Sequence, residues 1–241
     1  MHTISHLIEP SRLLLVWQDP KGESRTRFVV GELRRSEDGG ATFAYRTETP
    51  DFIKAQALGF QGYPAFRKSS QVYRDGVLEA FLQRLPPRKR ADFGKYLETL
   101  RLPQNEHLSD FMLLGYSGAK LPGDGFSLVH PFENVDRECE LLLEVAGFRY
   151  QNVPVRELRI GDAVSFAFEP NNVVDPNAVK IMVGGRRIGY VNRVQTPAFS
   201  HWLRTKSVTA HIERLNGRPE RPLVYLFVEV RQVHPLLVAA G

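Results

Sequence analysis

The chain has 241 residues, 42% of them hydrophobic and 24% charged, with a formal net charge of +5. That composition excludes a disordered polymer and leaves room for two domains of ordinary size. No apolar run approaches the ~20 residues of a bilayer-spanning helix, and the opening Met1-His2-Thr3-Ile4-Ser5-His6 lacks the basic and apolar stretches of a secretory signal. The expectation is therefore a cytoplasmic protein without membrane association.

Residues 12–18 read as a buried strand, Asp19-Pro20-Lys21-Gly22 as a turn, residues 25–33 as a returning strand and 41–46 as a third after Asp38-Gly39-Gly40. This is an antiparallel meander. From Asp75 to Leu85 the apolar residues Val77, Leu78, Phe81, Leu82 and Leu85 form one helical stripe, with Asp75 as the expected cap and Pro86-Pro87 as the stop. Arg88-Lys89-Arg90 opens a second expected helix with Phe93, Leu97 and Leu100 inward. Residues 115–125 carry four glycines but no Gly-Lys-Ser/Thr, so they are no phosphate loop. They read as a linker, which gives expected domains at 1–125 and 126–241.

The second part is rich in strands. Leu141–Val145 is apolar. Ala163–Phe168 and Val179–Val183 alternate, Gly184-Gly185 fits a primed two-residue turn, and Arg186–Val191 returns. A short helix capped by Thr196, with Pro197 first, would turn Phe199, Trp202 and Leu203 inward; residues 208–213 and 223–230 complete the strands. The fold class is α+β: an antiparallel β-meander with helices, then a small OB-like β-barrel with one or two short helices.

Charge divides evenly, but residues 126–241 hold 12 Arg and only two Lys. Arginine offers a planar fork for phosphate and a face for stacking. Cys139, the single cysteine, excludes an internal disulfide and a thiolate metal cage. Between Glu138 and Glu140 it reads as an inert thiol. His6, His107, His130, His201, His211 and His234 are scattered, and neither a nucleophile–base pair nor a metal motif stands out. No enzyme activity, metal or cofactor is expected.

From about Leu142 to Val230 the chain resembles the HIRAN domain. The likeness rests on Gly147-Phe148-Arg149-Tyr150, on Leu158 to Val164, on the loop and strand from Glu169 to Ile181, and on Ile188-Gly189-Tyr190-Val191, in that order. The resemblance implies an OB-like barrel that receives the 3′ end of single-stranded DNA. Arg149 and Tyr150 match the family's pair at the terminal nucleotides. Asn172 and Asp175 match polar residues of the central loop, with the Asp reaching the 3′-hydroxyl, and Arg193 matches a basic residue facing phosphate. The chemistry agrees: a fork for phosphate, a ring for a base and an acceptor for the hydroxyl. Asn171, Asn172 and Asp175 would equally stabilise their own loop through Asx turns, Tyr150 would serve as a core residue, and Arg149 as an exposed ion-pair partner. One branch of the family carries an aromatic residue before the Asp and a second Tyr after the Arg-Tyr pair. Here those positions are Val174 and Gln151, and a lost stacking platform costs ~1–3 kcal/mol per base.

Val30-Gly31-Glu32-Leu33 and Phe43-Ala44-Tyr45, extended loosely by Gly62 to Phe66 and Leu82 to Pro86, resemble the N-terminal subdomain of HipA-type kinases. That subdomain carries no catalytic residues, so the resemblance implies a protein-docking role. Two functions follow. One is a non-enzymatic binder of single-stranded DNA 3′ ends that docks a nuclease, helicase or toxin-type kinase, in DNA repair or defence. The alternative is a protein-interaction module, such as a toxin–antitoxin component, that has lost DNA binding.

Overall fold

A computed structural model describes residues 2–20, 26–104, 108–218 and 221–233. The Lys21-Gly22 half of the first expected turn, His107 and His234 lie outside them. Contacts divide the chain into two units, residues 9–131 and residues 1–8 with 132–241.

The first unit is a five-stranded antiparallel sheet with four helices. Its strands are β1 (Arg12–Gln18), β2 (Arg27–Arg35), β3 (Ala41–Tyr45), β4 (Val72–Tyr73) and β5 (Phe126–Val129). They run in the order β4-β3-β2-β1-β5. The expected boundary at 125/126 thus falls inside this unit. The middle five residues of β1 are all buried, a central-strand pattern that needs a partner on both sides, and β5, buried throughout, supplies the second one. The glycine-rich stretch is a loop within the unit. Leu33 and Phe43 are register partners on β2 and β3.

The helices are α1 (Pro50–Ala57), α2 (Val77–Leu82), α3 (Phe93–Thr99) and α4 (Asp110–Ser117). The sequence reading had neither α1 nor α4. Each is capped by a side chain, Thr49 accepting from the Phe52 N–H and Ser109 from the Met112 N–H. The expected Asp75 cap is replaced by Gly76 in a left-handed conformation. Arg88 and Arg90 precede α3, pairing with Asp110 and Asp92. Phe43, Tyr45, Phe52, Phe60, Tyr63, Phe66 and Phe81 form the aromatic core. Burial pushes the Tyr45 hydroxyl up to about 12, and that hydroxyl donates to the Phe66 carbonyl while accepting from the Tyr63 N–H, both at 2.7 Å. Arg84, 8% exposed, reaches Asp124 at 2.7 Å and the Ala119 carbonyl at 2.6 Å.

The second unit is built on β6 (Cys139–Glu144), β7 (Ala163–Phe168), β8 (Val179–Val183), β9 (Arg186–Tyr190), β10 (Lys206–Arg218) and β11 (Arg221–Gln232), in the order β6-β11-β10-β7-β8-β9. The two edges of this sheet meet. Just past β6, Ala146 bridges Tyr190 of β9 through two 2.9 Å backbone hydrogen bonds, bringing the sheet round into a barrel-like ring. Gly189 permits the approach: a Cβ there would lie 2.5 Å from the Ala146 oxygen, on a backbone with φ of +150°. Helix α5 (Thr196–Thr205) begins at the expected cap itself, one residue earlier than Pro197, because Gln195 takes the cap position. Its Phe199 and Trp202 are fully buried, and the Trp202 indole donates to the Val135 carbonyl at 3.0 Å. Among the described residues no helix is long and apolar enough to cross a membrane.

Residues 2–8 belong to this unit. Ile4 is fully buried, and Glu140 on β6 accepts from the Ser5 N–H at 2.6 Å. Burial opposes ionisation of Glu140, but donors from Ser5, Arg231 and His6 outweigh it and hold its carboxyl at about 2. Cys139 is buried, and burial pushes its thiol up to about 12.

Candidate nucleic-acid interface

Three short segments converge at one end of the barrel. The first is the single helical turn Phe148–Tyr150, entered from Gly147 at φ of +74°. Phe148 is buried and anchors it, which turns Arg149 and Tyr150 outward. The Arg149 guanidinium lies over the Tyr150 ring, 4.6 Å from its centroid, and Tyr150 is 41% exposed. A cation stacked on an exposed ring is a ready surface for a base and its phosphate.

The second segment is the loop between β7 and β8. Asn172 organises it. Its Nδ2 donates to Glu169 Oε2 at 2.6 Å and to the Tyr190 hydroxyl at 3.3 Å, and its Oδ1 accepts from the Val174 and Asp175 N–H groups at 2.9 and 3.0 Å. Two donors and two acceptor sites are an asparagine amide's full complement. Asp175 is half-buried, and its Oδ1 accepts from the Asn177 N–H at 2.9 Å, closing an Asx turn. At the loop tip Val173 and Val174 are 99% and 89% exposed.

The third segment is β9. Arg187 donates to Glu169 Oε1 and to Gln151 Oε1, each at 3.0 Å, and stacks 5.1 Å from the Tyr190 centroid. Tyr190 donates to Glu169 Oε2 at 2.8 Å. These bonds join Gln151, beside the Arg149–Tyr150 pair, to the Asn172–Asp175 loop. Glu169 sits at the centre. Hydrogen bonds from Asn172 and Tyr190, with the charge of Arg187, hold its carboxyl below the usual range. Burial and the bond to Glu169 raise the Tyr190 phenol.

Four of the five residues singled out from sequence are thus connected, either directly or through this network. Arg193 stands exposed on the turn between β9 and α5. The sequence reading did not assign Glu169, Arg187 or Tyr190 to the site. Residues 187 and 190 are three apart and would face opposite sides of a regular strand. A bulge opposite Ile181–Met182 makes Ile188 an extra residue, so Arg187 and Tyr190 converge. Gln151, noted only as a departure from the family pattern, proves to orient Arg187.

Residues 140–231 match the family model of the HIRAN domain. Two solved structures are similar to part of the chain. One is the HIRAN domain of human HLTF, at 19% identity and a TM-score of 0.33, covering 38% of this chain and 74% of that one. The other is a protein from Lactobacillus plantarum, at 20% identity and a TM-score of 0.31, covering 39% of this chain and 99% of that one. Comparison with curated proteins found no match.

Proposed function

We propose, from the premise that residues 140–231 form a HIRAN domain, a class that binds DNA, that this protein is a non-enzymatic receptor for single-stranded DNA 3′ ends. The observation that carries the reading is the exposed Arg149–Tyr150 stack, tied through Gln151, Arg187 and Glu169 to the Asn172–Asp175 loop. Tyr150 takes the terminal base, Arg149 its phosphate, and Asp175 accepts from the 3′-hydroxyl. Asn172 holds the loop rather than touching DNA, since its amide is already saturated. Arg193 adds charge toward the backbone phosphates. A terminal 3′-phosphate would be repelled by the Asp175 carboxylate.

The unit of residues 9–131 docks a protein partner of the nuclease, helicase or toxin-kinase type, and the setting is DNA repair or defence. This part rests on the resemblance of β2 and β3 to the HipA-type subdomain.

The test is fluorescence anisotropy at low salt with a short strand ending in a 3′-hydroxyl or a 3′-phosphate, against wild type and Asp175→Ala. Binding confined to the hydroxyl end and lost in Asp175→Ala is expected. Equal weak binding to both ends, indifferent to the substitution, would overturn the end-receptor reading. It would favour a protein-interaction module, for which the exposed Val173–Val174 pair is the supporting observation.

A further inference from the structure

A second cluster of chemically capable side chains lies on β10. His2, His211 and Glu213 bring their ligand atoms within 4.8 Å of one another. His211 Nε2 is 3.0 Å and His2 Nδ1 3.4 Å from Glu213 Oε2. Ligand atoms around a tetrahedral zinc ion, with bonds of about 2.0–2.1 Å, stand roughly 3.3–3.4 Å apart. The His2–Glu213 edge already has that length, the His211–Glu213 edge is a few tenths of an ångström shorter, and the third, no longer than 4.8 Å, closes by a turn of the exposed His2 ring.

The surroundings favour a defined site. A bulge between Ile212 and Arg214 leaves Glu213 as the extra residue of β10, which re-aims its side chain. Glu213 is only 6% exposed, and a carboxylate held that far from water gains from a cationic partner. His211 stacks on Phe227, its register partner on β11, at 5.7 Å, and the His2 ring lies 5.3 Å from Phe227 and 4.6 Å from His211. The buried Ile4 and the Ser5–Glu140 bond hold the strand-borne pair and the N-terminal segment together. His2 itself is 62% exposed in its side chain, so an ion has a way in and a fourth ligand position open to water.

We propose that His2, His211 and Glu213 form a binding site for a divalent transition-metal ion, with zinc the best match to two imidazoles and a carboxylate. Bound metal would clamp residues 2–8 onto β10. The site is separate from the Arg149–Asp175 end of the barrel and does not depend on DNA binding.

The test uses the full chain without a polyhistidine tag, stripped with EDTA and desalted. Zinc titration by calorimetry should give one ion per chain, and cobalt should give the visible absorption of a low-coordinate nitrogen–oxygen site. His2→Ala, His211→Ala and Glu213→Gln should each weaken zinc binding at least tenfold. His201→Ala, whose ring pairs with Asp136 instead, should leave it unchanged. Zinc should also raise the melting temperature of the wild type but not of His2→Ala, a surface change that leaves folding intact. Zinc binding that is absent, or undiminished in His2→Ala and His211→Ala, would overturn the proposal.

Discussion

Replacing Asn172 by alanine removes four hydrogen bonds at once. The bond to Glu169 is charge-assisted and worth about 1.5 kcal/mol net, while the bond to Tyr190 and the two from exposed or half-buried N–H groups are each worth about 0.5 kcal/mol or less because water replaces them. Glu169 keeps Tyr190 and Arg187 as partners, so no carboxylate is left bare. The expected loss is about 2 kcal/mol in the stability of the barrel unit, read by urea denaturation. The 3′-end affinity should fall roughly tenfold as Asp175 loses its fixed position, read by anisotropy. Asn172→Asp should do worse, because it turns an acceptor toward the Glu169 carboxylate. Pairing it with Glu169→Gln reverses donor and acceptor and should recover on the order of 1 kcal/mol of coupling in a double-mutant cycle. Arg187 is 42% exposed and its ion pair with Glu169 contributes little to that balance. If Asn172→Ala leaves stability unchanged, or the paired substitutions are simply additive, the network does not hold the loop.

Three further outcomes are expected. Gly189→Ala forces a Cβ to within 2.5 Å of the Ala146 oxygen; strain and two broken bridge bonds should cost about 2–5 kcal/mol, and an unchanged denaturation midpoint would show that the ring does not need this contact. Asp124→Ala leaves the buried Arg84 guanidinium without a carboxylate, on the Ala119 and Phe126 carbonyls and the Tyr63 side chain, and should destabilise the unit of residues 9–131 by about 3 kcal/mol, whereas Arg84→Met with Asp124→Leu should recover most of that loss in thermal unfolding. The Glu140 carboxyl is held at about 2, below its usual 4.5. Its contribution is therefore present above about pH 4.5 and lost as pH falls through 2. Protection of residues 2–8 against hydrogen exchange, relative to the intrinsic rate at each pH, should fall over that window in the wild type and be already low at pH 7 in Glu140→Gln.

Much of the barrel's local structure is legible because it is local. The alternation in Ala163–Phe168 and Val179–Val183 gave those strands with their observed bounds, and both Gly184 and Gly185 take the positive φ that a primed turn requires, 53° and 77°. Helices α1 and α4 carried readable signals too: Thr49-Pro50-Asp51 and Ser109-Asp110 are each a cap followed by an acidic first turn. Neither shows an apolar stripe: Phe111-Met112-Leu113-Leu114 in α4 is a continuous apolar run, and α1 offers only Phe52, Ile53 and two alanines.

What the sequence alone determined is the strands other than β4 and β5, the turn chemistry and the order of motifs that marks residues 140–231. Tertiary structure alone decided which distant segments meet. It placed β5 beside β1 and seated residues 2–8 in the barrel unit, and it joined Ala146 to Tyr190. It turned Arg187 and Tyr190 to the same side through a bulge, and it set His2 against Glu213, 211 positions away. The physical reason is that hydrophobic period and turn propensity act over a few residues, whereas pairing and clustering follow from burying those faces against one another, which no short stretch of sequence encodes by itself.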